Sequence, residues 1–257
     1  MGGRPEAVLI QLGDLHIGAD WVDVGPLPRL SATVDAIRRL DIPVAAVLVL
    51  GDLTEHAADG EYADVRTQLK RLDAPTHVAM GNRDDRERMR RHFGIPPASG
   101  APLNYATDVG AIRLIVIDTT IPGDDAGDLD SGTLSWLDRE LSSCPHTRTL
   151  LAMHHPPLIT GSAAWDRIAL AAESRAGLAE MLARHPQVQA ILGAHLHRPL
   201  VAQFADRPLV VAPSTYAQFP LSLTATQLDP DDEPTGYVAH LITGDAQLIS
   251  SFHSCAS

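Results

Sequence analysis

Cysteine is scarce in this chain: Cys144 and Cys255 are the two present in 257 residues, far apart in sequence. No disulfide framework is implied. Basic residues are also few, 20 Lys and Arg against 32 Asp and Glu, for a formal charge of −12. That balance argues against nonspecific nucleic-acid or anionic-membrane binding, which rests on clustered basic side chains. It leaves a phosphate substrate open, because bound cations would add positive charge that the tally omits. No run approaches the roughly 20 apolar residues that a membrane span needs. The apolar stretch 7–12 is shorter than a signal-peptide core and ends beside Asp14. Internal repeats and low-complexity tracts are absent. The expectation is a soluble cytoplasmic protein without nucleic-acid or membrane partners.

Forty-five per cent of the residues are hydrophobic, enough for a sizeable core in one domain spanning 1–257. Apolar runs of strand length recur at 7–12, 44–50, 76–80, 112–117, 149–153, 188–192 and 209–212. Several lack polar alternation, which predicts strands covered on both faces. Helical spacing appears between them at 30–40 (Val34, Ile37, Leu40), 62–72 (Val65, Leu69, Leu72), 131–141 (Leu134, Leu137, Leu141) and 175–185 (Leu178, Met181, Leu182). Strands alternating with helices predict a layered α/β protein. Segments 236–243 and 246–253 read as a hairpin turning at Gly244-Asp245, so the sheets should be mixed. The acidic, Gly- or Pro-punctuated stretches 124–130 and 228–234 read as solvated turns.

Five polar motifs each follow an apolar run: Asp14-Leu15-His16, Gly51-Asp52, Gly81-Asn82-Arg83-Asp84, His154-His155 and His195-Leu196-His197. In α/β sheets, ligands gather beyond the carboxyl ends of strands, where all five would lie. Asp14 and His16 could chelate one cation, and His195 and His197 either another or one each of a pair. Asp52 could bridge two ions, and Asn82 offers a neutral carbonyl oxygen. Each motif alone is an ordinary turn or cap, but five in this order point to a metal site. Oxygen and nitrogen donors without thiolate suit Mn²⁺, Fe or Zn²⁺.

This ordered set resembles the calcineurin-like metallophosphoesterases, whose pattern runs Asp-X-His, Gly-Asp, Gly-Asn-His-Asp/Glu, His and Gly-His-X-His. Within that family the chain is most similar to the bacterial class III cyclic-nucleotide phosphodiesterases and their glycerophosphodiesterase relatives. Residues 117–123, the 153–157 segment Met-His-His-Pro-Pro and His195-Leu196-His197-Arg198 carry that likeness. The resemblance implies a four-layer α/β/β/α sandwich with mixed sheets, residues 200–257 completing the second sheet and offering a dimer contact. It implies two divalent metals: Asp14, His16 and His197 on one, Asn82, His154 and His195 on the other, Asp52 between them. His154 rather than His155 is taken as the ligand. It also implies that 165–170 and 214–220 line or cover the substrate pocket, with Tyr216 and Gln218 open between substrate contact and packing.

The departure from the pattern is Arg83, which stands where the family carries a phosphate-contacting His. A guanidinium does not donate its proton at working pH, but it clamps phosphate in bidentate fashion. Four accounts are open. Arg83 redirects specificity toward another phosphate or phosphonate ester; His56 or a metal-bound water supplies the proton instead; the substitution lowers activity; or Arg83 turns away to pair with Asp84 or Asp85. The expected activity is hydrolysis of small phosphodiesters by a hydroxide shared between the metals, with 3′,5′-cyclic nucleotides the leading substrate. The rivals are a phosphomonoesterase or nucleotidase and a non-catalytic scaffold of the same fold. Monomer and homodimer both remain open.

Overall fold

The computed structural model describes residues 7–40, 42–95, 101–231, 233–243 and 247–255. In chain order the first elements are β1 (Ala7–Leu12), α1 (Pro26–Arg38), β2 (Ala46–Leu50), α2 (Asp59–Leu69), β3 (Thr76–Ala79) and α3 (Arg86–Phe93). Next come β4 (Tyr105–Val109), β5 (Ile112–Val116), α4 (Ser131–Ser143), β6 (Thr149–Ala152), α5 (Ala163–Asp166) and α6 (Ala172–Arg184). The chain continues through β7 (Val188–Gly193), β8 (Leu200–Phe204), β9 (Arg207–Val211), β10 (Thr235–Ile242) and β11 (Leu248–Cys255).

Strand alternation sorts the side chains into layers. Val8, Ile10 and Leu12 of β1 pack with Val47 and Val49 of β2 against Leu30, Val34 and Ile37 of α1 and Tyr62 and Val65 of α2. Their neighbours Ala7, Leu9, Ala46, Leu48 and Leu50 face the other way and meet Leu114, Val116, Leu150 and Leu192 of a second sheet. That sheet's far face, with Ile115, Leu151 and Ile191, carries Leu137 of α4 and Leu178 and Leu182 of α6. Period-two strands buried on both faces thus build four layers, α/β/β/α.

The first sheet runs β11-β10-β1-β2-β3 and the second β4-β5-β6-β7-β9-β8. β1, β2 and β3 are parallel, as are β5, β6, β7 and β9, while β10, β11, β4 and β8 pair antiparallel with their neighbours. The sheets are mixed. Residues 200–257 do not all complete the second sheet: β8 and β9 do, but β10 pairs with β1 and brings β11 to the edge of the first. The hairpin register Thr235↔Cys255 to Ile242↔Leu248 holds, with the expected turn at Gly244-Asp245 outside the described residues.

The elements without a sequence forecast have a common character. β4 and β8 are edge strands with polar or exposed positions, and Val201 of β8 is 68% exposed. α3 is a run of charge in which Met89 and Arg90 are buried, started by Asp85, whose side chain accepts from Arg88 N, and ended by left-handed Gly94. α2 stops at Leu69, so Leu72 sits on a following 3₁₀ turn.

Candidate metal centre

Every motif follows the carboxyl end of a strand: Asp14 and His16 after β1, Asp52 after β2, Asn82 after β3, His154 after β6, His195 and His197 after β7. The turns are tightly wound. Asp14, His16, Asp52, His195 and His197 all have left-handed backbones, with φ of 53°, 44°, 48°, 69° and 49°. Such conformations concentrate where structure holds a functional group in place. Backbone hydrogen bonds lace the turns together: Asp14 N to Gly51 O at 3.2 Å, His16 N to Asp52 O at 2.9 Å, Ala194 N to His154 O at 3.0 Å. Gly81 permits the closest approach, since a Cβ there would lie 2.0 Å from Asp52 N.

The imidazoles are oriented from outside. His154 Nδ1 donates to Leu50 O (2.7 Å), His195 Nε2 to Ile168 O (3.1 Å) and His197 Nδ1 to Ala217 O (2.8 Å). His16 Nδ1 lies 2.8 Å from Glu55 Oε2. Backbone carbonyls accept only, so these contacts assign the proton to the outer nitrogen and leave a lone pair on the inner one. The inner nitrogens face each other: His16 Nε2 and His197 Nε2 at 3.1 Å, His154 Nε2 and His195 Nδ1 at 3.2 Å. Asn82 Nδ2 donates to Asp125 Oδ1 (3.1 Å), which turns Asn82 Oδ1 to within 3.0 Å of His154 Nε2. Acceptors brought this close, with their protons committed elsewhere, repel unless a cation lies against them. Outer hydrogen bonds of this kind are how proteins aim metal-binding imidazoles.

Charge follows the same logic. Burial holds His154 below the ordinary imidazole range, His195 well below it, and His197 at about 3. They are neutral donors at working pH. Burial, with Asp52 beside it, pushes the Asp14 carboxyl well above its usual range. A buried carboxylate pair of this sort is relieved by a cation. Asp14, His16 and His197 form one group whose donor atoms lie within 4.8 Å of one another, and Asp14, Asp52 and His154 form another. Such donors fit divalent metal.

His155 also lies within that distance of His154 and His195. Its nitrogens are engaged, however: Nδ1 accepts from Thr119 Oγ1 (2.8 Å) and Nε2 donates to Asp125 O (3.1 Å). Its ring braces the loop that carries Asp125.

A cavity of about 440 Å³ opens onto these residues. Arg83 lines it, with Nη2 3.5 Å from Asp125 Oδ1, while its backbone N–H donates to Asp52 Oδ1 at 2.8 Å. Pairing with Asp84 or Asp85 does not occur. Asp84 is taken up by Leu53 N, Gly81 N, Thr54 Oγ1 and Tyr62 OH, and Asp85 caps α3. His56 is largely exposed, pairs with Glu61 at 2.8 Å and does not line the cavity.

The acidic stretches are not plain solvated turns: Asp125, Leu228 and Pro230 all face the cavity. Trp165, Ile168 and Phe219 line it as well, from the two segments expected there. Tyr216 and Gln218 do not. Both are buried; Tyr216 OH accepts from Trp21 N and Val22 N, and Gln218 Nε2 donates to Ser214 O. Sequence reasoning missed Trp21, Glu55 and Asp125, which stand outside any motif and reach the site through tertiary contacts alone.

Residues 7–199 match the sequence profile of the family described as calcineurin-like phosphoesterase. The chain belongs to that family and is a phosphoric ester hydrolase. It is 31% identical over 220 residues to a cAMP/cGMP dual specificity phosphodiesterase of Mycobacterium tuberculosis, covering 82% of this chain and 68% of that one. It is 32% identical over 215 residues to a glycerophosphodiester phosphodiesterase of Enterobacter lignolyticus, covering 82% and 76%. A dimetal phosphatase from Danio rerio shares the fold, with a TM-score of 0.74 over 98% of both chains at 14% identity. Among the described residues no helix is long and apolar enough to cross a membrane.

Proposed function

We propose that this protein hydrolyses small phosphodiesters with two divalent metal ions, 3′,5′-cyclic nucleotides being the leading substrates. Asp14, His16 and His197 would hold one ion, and Asn82, His154 and His195 the other. Asp52 would bridge them: its Oδ2 lies 3.4 Å from His16 Nε2 and 3.6 Å from His154 Nε2, within reach of both groups. The observation that carries the reading is the set of outward-anchored imidazoles with facing inner nitrogens. Bound there, such a pair supplies Lewis acidity and an activated water for in-line displacement.

The chain's own residues do the rest. Left-handed turns hold the donors in place before substrate arrives, so little reorganisation remains at binding. Arg83 presents a fixed cation to a phosphate lying across the centre and neutralises its equatorial charge. The same residue favours a second reading, a phosphomonoesterase, because a dianionic phosphate gains more from a guanidinium than a diester does. The relatives named above carry the diester preference.

The test is elemental analysis of protein supplied with Mn²⁺, Fe²⁺ or Zn²⁺, followed by turnover of cyclic AMP, glycerophosphoethanolamine and p-nitrophenyl phosphate. The reading expects close to two ions per chain and faster diester than monoester turnover. Faster monoester turnover supports the second reading; protein that takes up no metal from any supply overturns both.

A further inference from the structure

The cavity has two unlike walls. Asn82, Arg83 and Asp125, in mutual contact, give it a polar lining; Trp21, Phe219 and Trp165 give it an aromatic one. The chain contains three tryptophans and four phenylalanines in 257 residues, and two of the former and one of the latter converge on this single cavity. They form a continuous row. Trp21 meets Phe219 edge to face at 5.7 Å, and Phe219 meets Trp165 at 5.9 Å. The row abuts the metal centre along its length, Trp21 lying 4.5 Å from His16, Phe219 4.8 Å from His197 and Trp165 5.8 Å from His195.

We propose that Trp21, Phe219 and Trp165 form a subsite for a planar aromatic arm of the substrate, a nucleobase if the phosphodiesterase reading holds. The inference rests on that reading for the phosphate ester itself, not for the affinity of the wall. Five observations support it. Trp21 is held in place, since its backbone N–H and that of Val22 both donate to Tyr216 OH, at 2.6 and 3.1 Å. Trp21 is nonetheless only half-buried, leaving surface that a ligand would cover. Arg83 and the aromatic row line the same cavity, so one ligand can meet both. Leu228 and Pro230 extend the apolar lining. A cavity of about 440 Å³ falls within the roughly 300–1,000 Å³ of small-molecule sites. A glycerol arm would leave Trp21 uncovered, and a base would stack on it, with the buried Phe219 and Trp165 backing it.

Calorimetric titration of Mn²⁺-supplied protein with adenosine 5′-monophosphate and with ribose 5-phosphate tests this without reading hydrolysis. The two ligands share the phosphate and differ in the base. The subsite requires the former to bind about tenfold tighter or more, the usual worth of one base stacked on an aromatic side chain. Trp21→Ala should close that gap and leave ribose 5-phosphate affinity unchanged, while Trp21→Phe should keep most of it. Equal affinities in the unmodified protein overturn the proposal, a comparison that holds even where Trp21→Ala does not fold. Parallel loss of both ligands in Trp21→Ala also overturns it, because the indole would then serve only to support His16. Absence of diester turnover, by contrast, counts against the proposed function and not against the subsite.

Discussion

Arg83 sits where the family places an imidazole, and its surroundings narrow what the exchange does. It faces the cavity and is paired with Asp125 rather than with Asp84 or Asp85, and under the proposed function it would meet the phosphate there. With His56 held by Glu61 outside the cavity, the described lining offers no imidazole, beyond those proposed as metal donors, to protonate a departing alkoxide. Arg83→His should therefore raise kcat on dialkyl diesters by about tenfold or more, up to the roughly 10²–10⁴-fold worth of general acid catalysis. Bis(p-nitrophenyl) phosphate, whose leaving group needs no proton, should change far less, and metal content should stay the same. Steady-state kinetics on the two substrates decides; equal alkyl-diester rates in both proteins would remove Arg83 from any part in protonation. Asp125 makes a second prediction. It fixes the Asn82 amide so that oxygen, not nitrogen, faces His154. Asp125→Ala should weaken binding of one metal by about 10–100-fold, the usual loss on removing such a partner. Metal titration reads it, and two unchanged affinities would contradict it.

At the scale of elements, the turns after the strands matter more than the strands themselves. The Gly81 turn leaves no room for a methyl group, because its Cβ would meet Asp52 N at 2.0 Å and Asp52 Oδ1 at 2.3 Å. Gly81→Ala must push the β2 and β3 turns apart. It should cost more than about 1 kcal/mol, and lower the metal-free Tm by at least about 2–4 °C for a domain of this size. Loss of metal uptake should accompany the shift, and calorimetry with elemental analysis measures both. These turns were legible in sequence because Gly-Asp and Gly-Asn after an apolar run of strand length are local signals. Edge strands β4 and β8 and the charged helix α3 were not, since their placement comes from pairing or capping rather than from an apolar period. The pocket loops were misread for a related reason: an acidic, Gly- or Pro-punctuated stretch looks solvated until a cavity is placed beneath it.

For the whole molecule, the question is what holds two sheets in the register the centre needs. Between them lies a buried polar chain: Ser250 and Gln11 both bond His240, at 2.8 and 2.7 Å, and Gln11 Nε2 donates to Gly193 O of β7 at 2.7 Å. It links β11, β10 and β1 of one sheet to β7, the strand whose following turn carries His195. Burial holds His240 at about 3. An unfolded histidine takes up its proton near pH 6.5. Between those values the unfolded state binds the extra proton, so this residue makes stability rise with pH and fall as pH drops through that window. In the metal-free protein, His240→Gln should reduce the slope of unfolding free energy against pH, between about pH 5.5 and 3.5, by about 1.4 kcal/mol per unit. Denaturant titrations at several pH values measure it, and parallel curves for the two proteins would contradict it.

Sequence alone determined the strand–helix alternation and the five motifs at strand ends, because both are written in local periodicity and composition. It also exposed Arg83 as a departure. Tertiary structure decided the remainder: that β10 and β11 join the first sheet, that Arg83 pairs with Asp125, and that His155 spends both nitrogens on Thr119 and Asp125. It alone brought Trp21 to the cavity beside His16 and placed Glu55 behind that ring. The physical reason is range. A turn or a buried strand is specified by its neighbours in the chain, whereas a hydrogen-bond partner or a cavity wall is specified by packing between segments far apart in sequence.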